Sequence, residues 1–293
     1  MSHMSQNIQW FPGHMTKTLR LMESEIKNVD IVIELLDARI PFSSKNPAFK
    51  EITKTKPKLL LLNKSDLADA KATKEWINYY QEKGYEVLSV ISRNKATKQE
   101  VLRKVDEMQK ETSTSRTLRS NVLFKPRVMV IGIPNVGKST FINMMSESAA
   151  TRVEDRPGVT RGKQWIVTKD IEMLDMPGVL WPKFESTRIA HNLAFCGSIS
   201  LKVVDSLELA VSLLDEIKYE HKHAITQRYR VEYGEIMGYE LLEEIGRKRG
   251  MLIHKGEVDI DRAAIMLLDE LMEKKLGAIT FEYIKDLEEF SNE

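Results

Sequence analysis

Residues 128–140 read VMVIGIPNVGKST, and the two halves of this stretch obey different rules. Val128–Ile131 is an apolar run of strand length. It passes directly into Gly132-x4-Gly137-Lys138-Ser139, the spacing of a phosphate-binding loop. The glycines let backbone N–H groups turn inward around an anion with no Cβ in the way, and Pro134, Asn135 and Val136 complete the turn. Lys138 reaches the β- and γ-phosphates, and the Ser139 hydroxyl suits Mg²⁺. Thr140 continues into a helix whose positive end faces the same anion. A strand that enters a helix through such a loop predicts an α/β fold with its ligand at the carboxyl ends of the strands.

The surrounding sequence supplies the remaining parts of a nucleotide site. Asp175-Met176-Pro177-Gly178 follows an apolar run and lies 37 residues after Lys138. Asp175 is placed to hold Mg²⁺ through water, and the Gly178 N–H to sense a γ-phosphate. Between these motifs, Arg156-Pro157-Gly158-Val159-Thr160-Arg161 is a turn-rich loop in which the Thr160 hydroxyl can complete the Mg²⁺ shell. An ordinary surface turn is the alternative reading of this loop.

A base-reading loop is present, but 69 positions upstream of Gly132. KLLLLNKSDL at 58–67 is a strand-length run ending in Asn63-Lys64-Ser65-Asp66. The Asp66 carboxylate can accept from guanine N1–H and the exocyclic amine. Adenine has no matching donors, and such mismatches cost orders of magnitude in selectivity. Lys64 would lay its aliphatic stem along the base, and Asn63 would contact the base and brace neighbouring loops. Ser92, after a third strand at 86–91, holds the position of a base-supporting loop. The order base loop, support loop, phosphate loop, switch loop, DxPG is the ordinary cyclic order of a G protein begun elsewhere. Residues 111–126 would join the ancestral ends.

Outward from these motifs, Ile31–Leu36 is a further strand, and helical spacing recurs through Leu19, Met22, Ile26 and Val29 and near residues 74–83 and 97–110. Alternating strands and helices predict a mostly parallel sheet with helices on both faces, with residues 164–168 and 170–174 as a hairpin. From about residue 186 helical patterns dominate, at 205–218, 221–232, 239–249, 259–275 and 280–290. The expected division is a nucleotide domain over 1–180 and a helical domain over 181–293.

Composition narrows the class. The formal net charge of +1 hides a net +8 over residues 1–178 and a net −7 over 179–293. Any nucleic-acid contact by the second part must therefore use local patches. Lys218, His221, Lys222, His223, Arg228 and Arg230 form one cluster, and Arg247, Lys248 and Arg249 with Lys255 a second; a solvated helical surface is the plainer reading of both. The single cysteine, Cys196, excludes an internal disulfide framework and points to a reducing, cytoplasmic setting. No apolar run is long enough to span a bilayer, and no lipidation motif favours a membrane partner.

The combination WFPGHM at 10–15, DARIP at 37–41, NKSD at 63–66, GIPNVGKST, PGVTRG at 157–162 and DMPG resembles the circularly permuted GTPases of the YlqF/YawG type, over nearly the whole chain. The motifs call for GTP/GDP as ligand and Mg²⁺ as cofactor, and a monomer is expected; the resemblance implies a GTPase acting late in assembly of the large (50S) ribosomal subunit. It also implies stimulation by that particle and rRNA contact through the helical domain, with Lys218, Lys222, Arg228, Arg230, Arg247, Lys248 and Arg249 as candidate contacts. Val179 stands where Ras-like proteins carry the glutamine that orients the attacking water, so intrinsic hydrolysis is expected to be slow. The resemblance suggests two substitutes: Asn135, which would help bind a K⁺ ion beside the phosphates, and His14, which would approach the nucleotide on the particle. Two other readings fit the motifs, a nucleotide-gated RNA-binding module with little catalytic role and a GTP-dependent signalling switch.

Overall fold

The computed structural model describes residues 13–112, 125–146, 164–184, 186–201, 204–218, 220–232, 234 and 238–287. The loop carrying Thr160, most of the expected joining segment, residues 10–12 and the side chain of His14 lie outside the described residues.

A single six-stranded sheet organises the first part, in the order β3-β2-β1-β4-β6-β5. Its strands are β1 (Ile31–Asp37), β2 (Lys58–Asn63), β3 (Glu86–Val90), β4 (Arg127–Gly132), β5 (Gln164–Val167) and β6 (Glu172–Asp175). All pairings are parallel except β5 with β6. All seven residues of β1 are buried, as are the last five of β2 and of β4. Such continuous burial is what a parallel sheet with both faces covered requires, and it explains the unbroken apolar runs in the sequence.

Helices connect the strands: α1 (Gly13–Glu25) precedes β1, α2 (Ala48–Thr53) and α3 (Ala70–Glu82) separate β1, β2 and β3, and α4 (Lys95–Thr112) leads towards β4. α5 (Lys138–Ser146) follows the phosphate loop. The chain lays β1, β2 and β3 outward in one direction, then returns to place β4 on the free side of β1. Strand order therefore reverses between β1 and β4, and a crevice opens at their carboxyl ends.

The second part is α6 (Thr187–Phe195), α7 (Ser206–Ile217), α8 (Lys222–Tyr229), α9 (Gly238–Lys248) and α10 (Ile260–Met272). Asp205 and Asp259 cap α7 and α10 by accepting backbone N–H groups of the first turn. α6 begins eight residues after Val179 and is not among the helices expected from periodicity.

The expected helix over 280–290 is not formed at its start. Residues 278–283 form a strap without regular secondary structure, followed by a single 3-10 turn at Ile284–Asp286. The strap is held on the sheet side: the N–H groups of Ile279 and Phe281 donate to the carbonyls of Leu67 and Arg39 at 2.9 and 3.0 Å. The Trp76 indole N–H donates to the Glu282 carbonyl at 2.9 Å. Backbone bonds to a distant strand end replace the bonds a helix would have made. Phe281 also packs on Phe195, ring centres 5.0 Å apart, so the helical part shares its core with the sheet.

Candidate nucleotide site

Five loops converge at the crevice because the five parallel strands, β1, β2, β3, β4 and β6, end there. Asn63 closes β2, and its side chain spans three of them. Its Nδ2 donates to the Val136 carbonyl at 2.8 Å, and its Oδ1 accepts from the Ser92 Oγ and N–H at 2.7 and 3.1 Å. The base loop, the supporting loop and the phosphate loop are thus tied by one buried amide. Gly137 makes this contact possible: it sits at φ +98°, and a Cβ there would stand 2.3 Å from Asn63 Nδ2.

Lys64 and Asn135 both adopt left-handed backbone, φ 59° and 57°. For non-glycine residues this costs about 1–2 kcal/mol each, and such strain collects at functional sites. The Lys64 ammonium donates to the Asn135 carbonyl at 2.8 Å and pairs with Asp37 Oδ2 at 2.9 Å. Asp37 also takes a bidentate pair from Arg39, at 2.9 and 2.8 Å. Burial pushes the Asp37 carboxyl up, but Arg39 and Lys64 outweigh burial and hold it far below the ordinary carboxylate range. DARIP, quoted from the sequence without a role, is thus the anchor of the base loop.

On the phosphate side, Lys138 Nζ lies 2.5 Å from Asp175 Oδ1, so the lysine after the glycine turn and the aspartate of DMPG meet at one point. Gly178 lies against the turn: a Cβ there would come within 2.9 Å of Pro134 N. The Val179 N–H donates to the Gly132 carbonyl, and the Val179 carbonyl accepts from Asn46 Nδ2 at 2.8 Å. The Val179 side chain is fully buried.

Two adjoining clefts result. One, of about 360 Å³, is lined by Pro134, Lys138, Ser139, Pro177 and Gly178. The other, of about 320 Å³, is lined by Asn63, Lys64, Asp66, Ser92 and Arg39 among others. Asn135, Gly137 and Thr140 border both. Volumes of this size suit the two ends of a nucleotide. Among the described residues no three His, Cys, Asp or Glu side chains cluster as a metal site. One hydroxyl and one carboxylate, Ser139 and Asp175, fit Mg²⁺, which fills its shell with waters and phosphate oxygens. Asn135 Nδ2 donates to the Gly197 carbonyl at 2.6 Å, which leaves its Oδ1 as the atom available to a cation such as K⁺.

The base-side cleft includes residues that sequence reasoning did not find: Arg39, Arg93, Gly197, Met272 and Lys274. Arg93 adjoins Ser92 and could have been inferred. Met272 and Lys274 are some 200 residues from Lys64 in the chain and carry no local signal.

The basic clusters of the helical part are partly internal. Arg228 makes a bidentate pair with Glu270, whose carboxylate also accepts from the Tyr229 hydroxyl and lies 3.6 Å from Arg249. Arg228 leads in drawing the Glu270 carboxyl down to about 2. Arg247 pairs with Glu243, and Lys218 with Asp215. Arg230 ends α8 in left-handed backbone, Lys222 begins α8, and Lys248 ends α9. His221, grouped with these cations by sequence, is buried. Its Nε2 meets the Thr280 backbone and the Tyr283 hydroxyl, and burial lowers its pKa. It anchors the strap and is not a surface cation.

Comparison with known proteins agrees with this geometry. A model of the 50S ribosome-binding GTPase family matches residues 127–235. Ribosome biogenesis GTPase A of Bacillus cereus is 40% identical over 276 residues, 94% of this chain and 93% of that protein. The protein of the same name from Thermotoga maritima is 32% identical over 282 residues, 96% of each. Mitochondrial ribosome-associated GTPase 1 of Mus musculus is 36% identical over 234 residues, 75% of this chain and 70% of that one. Among solved structures, a GDP-bound YlqF superposes with a TM-score of 0.67 at 26% identity, covering 91% of this chain and 100% of the other. A GNP-bound YlqF from T. maritima gives 0.63 at the same identity.

Proposed function

We propose, from the premise that this chain belongs to the ribosome biogenesis GTPase A family, that its GTP hydrolysis governs release from the large (50S) ribosomal subunit late in that particle's maturation. GTP hydrolysis and a place in ribosome biogenesis come with the family. The finer reading is that the particle stimulates turnover, and the burial of Val179 carries it. The position after DxPG faces the core and has no polar group, so it cannot orient water. The missing stabilisation must then come from another group, a bound cation or one brought into place on the particle.

In this reading Asp66 selects guanine, Asn63 and Ser92 hold the base loop, and Lys64 covers the base. The turn from Pro134 to Gly137 and Thr140 wraps the phosphates. Lys138 and the Gly178 N–H would meet the γ-phosphate, and Ser139, Thr160 and Asp175 would hold Mg²⁺, which would supply charge neutralisation to the phosphates. Asn135, through K⁺, and His14, on the particle, are the two proposed sources of the missing catalytic group. Lys218, Lys222, Arg228, Arg230, Arg247, Lys248 and Arg249 are the proposed rRNA contacts. Arg228 and Arg249 would exchange Glu270 for phosphate, which makes binding salt-dependent. We take residues 1–180 as the GTPase domain and 181–293 as the helical domain of a cytoplasmic monomer.

The test is GTP turnover with and without purified large subunits, each in KCl and in NaCl. The expected result is stimulation approaching about 10³-fold, the lower range of what an inserted arginine supplies elsewhere. A rate indifferent to the particle would favour the nucleotide-gated RNA-binding module instead. A rate indifferent to the cation would remove Asn135 and K⁺ from catalysis.

A further inference from the structure

The base-side cleft has a wall that the nucleotide loops do not supply. Cys196, Gly197, Met272 and Lys274 line it from the helical part. Gly197 lies just past the end of α6, in left-handed backbone at φ +74°. Its carbonyl accepts the Asn135 side-chain N–H at 2.6 Å, which pins this wall to the phosphate loop. Gly197 has no side chain, and a Cβ there would lie 3.7 Å from Met272 Sδ. At Gly197 the wall therefore presents bare backbone with the Met272 thioether beside it.

Met272 is the last residue of α10, a helix that buries Ala263, Ala264, Leu267, Leu268 and Leu271. Two large apolar residues of α10 are exposed, Ile265 at 50% and Met272 at 39%, and of these Met272 lines the cleft. A purine has two faces, and the Lys64 stem can cover only one. A polarizable thioether makes favourable contacts with aromatic rings and adapts to their outline.

We infer that Met272 is a nucleoside-contacting residue whose thioether packs on the bound guanosine, so that the helical part forms one wall of the nucleotide site. The inference rests on the reading of these clefts as a guanine-nucleotide site. It assigns the contact to the nucleoside end and not to the phosphates. Removing it should weaken di- and triphosphate binding by the same factor.

The experiment titrates GDP and a non-hydrolysable GTP analogue into the wild type, Met272→Ala and Met272→Leu, with the thermal midpoint of each nucleotide-free protein as control. Met272→Ala is expected to weaken both ligands equally, by about three- to tenfold. Its nucleotide-free midpoint should be unchanged, because the side chain is exposed. Met272→Leu, which conserves volume, should recover affinity to within about twofold. Affinity unchanged in Met272→Ala, or a loss that follows a fallen midpoint and is not recovered by leucine, would overturn the inference. A wild type that binds neither ligand would instead overturn the nucleotide reading itself.

Discussion

The side-chain amide of Asn63 donates to the Val136 carbonyl at 2.8 Å, joining two loops 73 residues apart in the chain. The same side chain accepts twice from Ser92. Asn63→Ala would strip all three bonds and leave buried polar groups unpaired, at about 1–3 kcal/mol for such a group. GDP affinity should fall about ten- to hundredfold. Calorimetric titration reads this directly, and an unchanged constant would mean that the loops hold their geometry without the bridge.

Gly137→Ala tests the same contact from the other side. A methyl group would stand 2.3 Å from Asn63 Nδ2, on backbone at φ +98° that side chains rarely adopt. Nucleotide binding should be lost while the core, which lies beneath the strands, keeps most of its stability. A variant that still binds GDP within about threefold of wild type would show that the phosphate loop can shift to relieve the clash.

Val179→Gln would restore, by sequence, the residue that orients water in Ras-like proteins. The structure predicts that it restores nothing, because the Val179 side chain is fully buried and its backbone is bonded to Gly132 and Asn46. A longer polar chain in that space should cost about 1–3 kcal/mol for an unpaired amide, and intrinsic turnover should not rise. Single-turnover hydrolysis together with urea unfolding separates the two effects. A faster rate would mean that the side chain can swing out to the phosphates.

Asp37→Ala removes the carboxylate shared by Arg39 and Lys64. Arg39 is only 6% exposed and would be left as an uncompensated buried charge, a loss of about 3–5 kcal/mol. Adding Arg39→Ala should return part of that stability, since the stranded charge goes with it. Denaturant midpoints of the two single variants and the double variant check this. Strictly additive losses would argue that the pair is not coupled.

Glu282 supplies a pH dependence. Its carboxylate is fully buried, has no salt-bridge partner among the described residues, and accepts from the Phe42 and Ser43 N–H groups, the Ser43 hydroxyl and Asn192. Burial raises its pKa from 4.5 to about 7, against those hydrogen bonds, which lower it. A folded value above the unfolded one means the native state binds the proton more tightly. This stability is complete below about pH 4.5 and is lost as pH rises through about 7, with an upper limit of about 3 kcal/mol. The lowered pKa of His221 acts in the opposite sense, so the informative quantity is the difference between wild type and Glu282→Gln. That difference should change between pH 5 and pH 8; a constant difference would show that Glu282 stays ionised throughout.

The convergence of the motif-bearing loops was legible in the sequence because their signals are local. A phosphate loop needs glycines at fixed spacing after a strand, and a base loop needs its carboxylate within one turn of a strand end. The cyclic order of the motifs also implied the permuted connection, since parallel strands bring their carboxyl ends to one edge whatever the chain order. The buried runs of β1, β2 and β4 announced a sheet covered on both faces. Tertiary structure alone decided the rest. The helix expected over 280–290 does not form at its start, because the carbonyls of Arg39 and Leu67 and the Trp76 indole N–H satisfy the strap's backbone in place of its own next turn. Val179 is buried because packing turns it inward, His221 is internal because the strap covers it, and Met272 reaches the base-side cleft because α10 folds back from the far end of the chain. Periodicity reports which face of an element is buried; it carries no information about which distant segment lies against that face, and that pairing sets where these side chains act.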